Sequence, residues 1–288
     1  ALSCDLETLT LGQRDEQCGV YEFVFRPLGH EIRICVDDRV PYIPDGGPPT
    51  PLFCHSDEYG ELWPILLEKA FAKLYGGYAE IDGGKACHGV ADLTGCTYAF
   101  LSFRPLDPVK QKYPVASVDS RTLGRQLMDY TAKGYVLDCC WTDEAEGQGL
   151  VAGHAYSVLH IKHSSRAGTL LHIRNPYGHG EWNGAFSDAW PGWSRYGDLK
   201  AKLKVEHKDD GAFWMHMDDF ARLVSTMGIA KLGQKQDRAA GPAPTPLTGR
   251  GAIPNQAGGA PPPAPTPAPS SATGRNGWCG KCGKAVAI

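Results

Sequence analysis

The sequence predicts an α+β protein, on three observations. Helical periodicity is concentrated in two stretches before residue 134, strand-like runs dominate after it, and the two kinds of element segregate rather than alternate. Hydrophobic residues make up 42% of the 288, enough for a sizeable core in one or two domains. Near residue 233 the composition changes to "GPAPTPLTGRGAIPNQAGGAPPPAPTPAPSSATG", which favours solvated, extended backbone, so a Pro/Gly/Ala-rich linker is expected over 234–277.

The elements follow in order. "GVYEFVF" and "HEIRICVDD" are rich in β-branched and aromatic residues and are joined by the turn-like "RPLG", which predicts an antiparallel pair. In "ELWPILLEKAFAKLYGG", Trp63, Leu66, Leu67, Ala70, Phe71 and Leu74 form one apolar stripe. Gly76 and Gly77 supply its stop, and Pro64 fits only in the first turn. A second helix is expected from Ser120 to Gly134, with Leu123, Leu127 and Tyr130 on one side. Strands are expected at "GYVLDCC", "AYSVLHIKH", "TLLHIRN" and "GAFWMHM". A short amphipathic helix, "DDFARLVSTM", is placed between the last strand and the linker.

Several function classes are disfavoured. The net charge of −3 argues against nucleic acid as a partner, and no apolar run approaches the roughly 18–20 residues of a membrane span. The ten cysteines sit in a chain much longer than small disulfide scaffolds, and several lie inside strand-like runs, where a free thiol behaves as a small hydrophobe. A reducing, cytoplasmic setting is therefore expected.

The stretch "VAGHAYSVLHIKHSSRAGTLLHIRNPYGHGEWNG" holds a His and an Asn at the two ends of a predicted hairpin. With the turn centred between Ser164 and Ser165, His154 and Asn175 face each other within about 5 Å, close enough for the amide oxygen to orient the imidazole. A bulge would shift that register. Thiol proteases use such a pair because only thiolate attacks a carbonyl well, and an oriented His both sustains the thiolate and protonates the leaving amine. Spacing alone leaves a purely structural pair as the more common alternative.

The flanking words narrow the choice. "GHAYSV", then "RNPYGHGEWNGAFSDAW", then "DDGAFWMHMDDF" resemble the second core subdomain of the calpain family of cysteine proteases, which have a papain-like fold. "GVYEFVF…VDDRVPY", "ELWPILLEKAFAKLYGGY" and "DLTG" resemble the latter part of that family's first core subdomain. The resemblance implies a first subdomain over 1–94 and a second over 95–233. It implies cleavage of protein substrates through a thioester, with His154 as base and acid and Asn175 as its orienting partner. Gly153 would offer backbone to the substrate. Tyr177, standing where the family has Trp, and Trp182 would shield the pair. Glu181, Asp188 and Asp210 match calcium-ligand positions, with the Lys208 carbonyl as a fourth, whereas Ala212 replaces a usual carboxylate and so weakens the expected site.

The family's nucleophile sits in a "G-D-C-W" context at a helix start, some tens of residues before the "GVYEF" block. Only eighteen residues precede Gly19, so that helix is not expected here. Cys4 lacks the aromatic neighbour, Cys18 abuts a strand, and Cys140, although followed by Trp141, ends a strand before the acidic "TDEAEGQG", which would raise a thiol pKa. The expectation is a protease fragment without its nucleophile. The alternative is a non-catalytic homologue that binds peptides or calcium. In the tail, over 278–288, "WCGKCGK" places Cys279 and Cys282 at the spacing of half a zinc site.

Overall fold

The computed structural model describes residues 11–15, 17–43, 50–56, 60–103 and 119–235. Cys4, Cys279, Cys282 and nearly all of the expected linker lie outside these residues.

Three antiparallel strands, β1 (Leu11–Asp15), β2 (Val20–Phe25) and β3 (Ile32–Asp37), form the first sheet in chain order. The expected pair β2/β3 runs in register from Val20↔Asp37 to Phe25↔Ile32. Alternation sends Ile32, Ile34 and Val36 of β3 to one face, where they meet Phe23 and Phe25. The helix α1 (Trp63–Tyr75) covers that face with the predicted stripe, burying Leu66, Leu67, Ala70 and Leu74. Pro64 lies in its first turn, and Gly76 closes it. A minimal pair, β4 (Tyr42–Ile43) and β5 (Thr50–Pro51), lies between these elements in sequence.

A helix absent from the sequence-based expectation follows, α2 (Ala86–Thr94), which buries Ala86, Cys87, Val90, Ala91 and Leu93. The segment has no side-chain cap of its own. Instead the carboxylate of Asp138 accepts the Cys87 N–H from across the core, together with the Gly228 N–H. The helix packs against both sheets and ends at Thr94.

The remaining elements are β6 (Cys96–Ser102), α3 (Ser120–Ala132), β7 (Val136–Trp141), β8 (Ala155–Ser164), β9 (Gly168–Arg174), α4 (Gly197–Leu203), β10 (Ala212–His216), α5 (Met217–Leu223) and β11 (Val224–Lys235). The six strands form one antiparallel sheet in the order β10-β9-β8-β7-β11-β6. Asp119 caps α3, accepting the Thr122 N–H at 2.9 Å. The helix expected over "DDFARLVSTM" ends at Leu223, and the chain continues as β11, inserted between β7 and β6. Burial of Val224, Met227, Ile229 and Ala230 drives that insertion. Helices α3 and α5 pack on the sheet over Leu127, Leu137, Trp141, Tyr156, Phe213 and Phe220, all fully buried side chains worth roughly 1.5–3 kcal/mol each.

Candidate active site

The hairpin that carries the predicted pair has a different register from the one expected. Its strands pair from Ser164↔Gly168 to His160↔His172, shift at a bulge, and continue as Val158↔Ile173 and Ser157↔Arg174. The turn is thus centred on Arg166, and His154 and Asn175 are not cross-strand partners. They lie immediately beyond the paired strands, where the side chains are free of the ladder's geometry and meet diagonally. The expected contact survives: His154 Nε2 is 3.1 Å from Asn175 Oδ1, and both residues are 1% exposed.

The network around Asn175 fixes which atom is which. Its Nδ2 lies 2.9 Å from the His179 carbonyl and 3.1 Å from that of Gly180, so this end must donate. Its Oδ1 accepts the Tyr177 N–H at 3.1 Å. Oδ1 therefore cannot donate to His154, and Nε2 of the imidazole carries the proton. The basic nitrogen of neutral His154 is then Nδ1, which is buried and has no hydrogen-bond partner among the described residues. Burial holds the His154 pKa below its ordinary value, and the bond to Asn175 opposes that shift.

The surrounding loops are tied to this pair. Asn175 N–H donates to the Gly211 carbonyl at 2.7 Å, and a side chain at Gly211 (φ 80°) would collide with Asn175 O. Tyr177 stacks on the His154 ring at 4.0 Å and 15°, so it is the aromatic that covers the pair. Trp182, expected to share that task, instead enters the main core, 4% exposed, with its Nε1 donating to the Ala185 carbonyl at 2.8 Å. Gly153 has φ 65° and open space where a side chain would stand, as a backbone approached by another chain requires. Sequence inspection missed Tyr156. Its signal was its position two residues after His154, close behind it at the start of β8.

No described thiol takes the place of a nucleophile. Cys140 lies inside β7, paired with Ala155 and Thr226, and its thiol is pushed up to about 11 chiefly by burial. The cause expected from the sequence, the acidic loop after Trp141, is replaced by burial and the charge of Asp138. Cys18 is exposed, with its N–H donating to Asp15 Oδ1 at 3.1 Å. All seven described cysteines are free thiols.

The three expected calcium ligands are neighbours. The Glu181 carboxyl is pushed up to about 7, first by burial and then by the negative charge of Asp188. Asp188 is raised by burial, and Asp210 adds to the shift. Oxygen donors of like charge suit a hard cation. Part of this capacity is already used: Glu181 Oε1 accepts the N–H groups of Asp210 (3.0 Å) and Gly211 (2.9 Å), and Asp210 Oδ1 accepts that of Ala212 (3.0 Å). Among the described residues, no three His, Cys, Asp or Glu side chains are gathered to hold a metal, so the expected ligand set is adjacent but not assembled. No described helix is long and apolar enough to cross a membrane.

Comparison with known proteins gives one family over most of the chain. Residues 7–231 match the family described as calpain family cysteine protease. The chain is 35% identical over 224 residues to calpain-8 of Rattus norvegicus, covering 75% of this chain and 30% of that protein. It is 34% identical over 223 residues to the calpain-2 catalytic subunit of Gallus gallus (76% and 30%) and 31% identical over 223 residues to calpain clp-4 of Caenorhabditis elegans (76% and 30%). The chain thus spans less than a third of the length of these relatives. With a buried, oriented His/Asn pair at the head of a hairpin and a family match over most of its length, the chain belongs to the calpain family of cysteine proteases.

Proposed function

We propose that this chain carries the base and orienting residues of a cysteine endopeptidase that cleaves protein substrates through a thioester. The observation that supports the reading best is the 3.1 Å contact between His154 Nε2 and Asn175 Oδ1, which leaves Nδ1 as the buried basic nitrogen. A cysteine thiol brought to Nδ1 gives its proton to the imidazole, and the thiolate attacks the substrate carbonyl carbon. As the C–N bond breaks, Nδ1–H protonates the leaving amine. Water then adds to the thioester, giving its proton to Nδ1, and the tetrahedral adduct expels the thiolate. Asn175 holds the ring through both protonation states, and Tyr177 keeps water from their hydrogen bond. The thiol itself belongs to residues other than the described cysteines, whose surroundings favour the protonated form at Cys140.

Calcium is the regulatory cation this reading implies. Glu181, Asp188 and Asp210 would hold it, and its charge would offset both the burial that chiefly raises Glu181 and the repulsion from Asp188. The zinc half-site at Cys279 and Cys282 belongs to the same proposal, on spacing alone.

Calcium-dependent cleavage of casein by the complete gene product, with His154→Ala as comparison, tests the reading. The expected result is loss of at least a thousandfold in kcat/KM for the variant. Equal activity in the two proteins sinks the assignment, and inactivity of both favours a non-catalytic, peptide-binding homologue.

A further inference from the structure

Tyr156 connects the two halves of the site. Its side chain is fully buried, with the ring set edge-on to Trp141 at 5.6 Å and to Phe213 at 6.2 Å. It stands at 74° to the His154 imidazole with centroids 5.3 Å apart, so His154 is confined between this ring and the stacked face of Tyr177. The hydroxyl oxygen accepts two N–H groups, from Val151 N at 3.1 Å and from Asn175 Nδ2 at 3.1 Å. An amide nitrogen cannot accept, so the phenol oxygen is the acceptor in that bond; with three oxygens around the two Nδ2 hydrogens, one hydrogen is shared between acceptors.

We infer that Tyr156 is a positioning residue, whose one oxygen fastens the segment delivering His154 to the amide that orients it. Its catalytic meaning rests on the protease reading above; the fastening itself rests on the geometry alone. A ring at this position serves the core equally well without an oxygen, so packing does not account for the hydroxyl. Val151 lies outside any strand and is 39% exposed, and it nevertheless has its N–H engaged by a buried group. Burial pushes the Tyr156 phenol up to about 12, so the bridge persists across the range in which His154 titrates.

Amide exchange and ring-nitrogen NMR on the labelled 288-residue chain test this. In the unaltered protein the Val151 amide should exchange at least tenfold more slowly than an unstructured amide, despite its exposed position. In Tyr156→Phe that protection should fall by tenfold or more while Val158 and Leu171 in the paired strands stay protected, and the His154 nitrogen shifts should move from a single Nε2–H tautomer towards a mixture. In the complete gene product the same substitution should lower kcat about tenfold with KM unchanged. An unprotected Val151 in the unaltered chain overturns the inference even where the variant does not fold, and so do unchanged Val151 exchange and His154 shifts in a folded variant. Failure of the complete protein to cleave casein defeats the protease reading and leaves the exchange and tautomer measurements to decide the tether.

Discussion

Asn175→Ala is the perturbation whose cost the structure specifies most closely. The amide has five hydrogen-bonding neighbours: Oδ1 accepts from His154 Nε2 and the Tyr177 N–H, and the two Nδ2 hydrogens are shared among the Tyr156 hydroxyl and the carbonyls of His179 and Gly180. Not all are lost at full cost. The two carbonyls lie in a partly exposed loop that water reaches, and Tyr156 keeps its bond to Val151. His154 Nε2–H is left buried without a partner, at about 1–3 kcal/mol, and the vacated amide adds a small cavity, so the expected loss is roughly 2–4 kcal/mol. Urea unfolding followed by tryptophan fluorescence at pH 7 reads this as a lower midpoint with an unchanged slope. Asn175→Asp then tests the assigned orientation, because it points a second carboxylate oxygen at two carbonyls. It should be no more stable than the Ala variant at pH 7. A loss below about 1 kcal/mol in the Ala variant, or a stable Asp variant, refutes the amide orientation, and with it the conclusion that His154 carries its proton on Nε2.

Two further outcomes are expected. Burial raises the Asp138 carboxyl to about 6, so the folded protein binds this proton more tightly than the unfolded chain, and stability falls as pH rises from about 4 to 6. The effect is on the order of 3 kcal/mol, since one pKa unit is about 1.4 kcal/mol. Asp138→Asn should reduce the slope of that part of the stability–pH curve without abolishing it, because burial raises Asp92 equally, to about 6, and Glu181 to about 7; an unchanged curve contradicts the burial argument. For calcium, thermal melting of the 288-residue chain should show stabilisation by millimolar calcium that grows from pH 6 to 8, because Glu181 must lose its proton to act as a ligand. Glu181→Gln should remove most of that shift, and an equal calcium response in the variant counts against Glu181 as a ligand.

What the sequence made legible follows from how local each cause is. The stripe of α1, the β2/β3 pair and the strands around the hairpin were readable because each announces itself through its own periodicity. Helix α2 was not: "ACHGVADLT" is nine residues of mostly small side chains, too short to display a stripe, and its first turn is capped by Asp138 from a distant strand. Strand β11 was read partly as helix because "VSTMGIAK" runs directly on from α5. Gly228 looks like a breaker there but is required by tertiary contact, since a side chain at that position would overlap the Asp138 carboxylate. The hairpin register failed for a similar reason, as turn-forming residues locate a turn without fixing its length, and the bulge after Val158 decides the rest.

At the site the same division holds one level lower. Residue types and flanking words pointed to His154 and Asn175, yet neither could say which imidazole nitrogen is the base. That depends on the carbonyls of His179 and Gly180, backbone groups common to every residue, which turn the Asn175 amide one way round. The fastening of Val151 through Tyr156 is likewise an oxygen meeting a backbone N–H. Motifs identify side chains, whereas the orientation of this His/Asn pair is set by main-chain groups that only the folded loops bring into place.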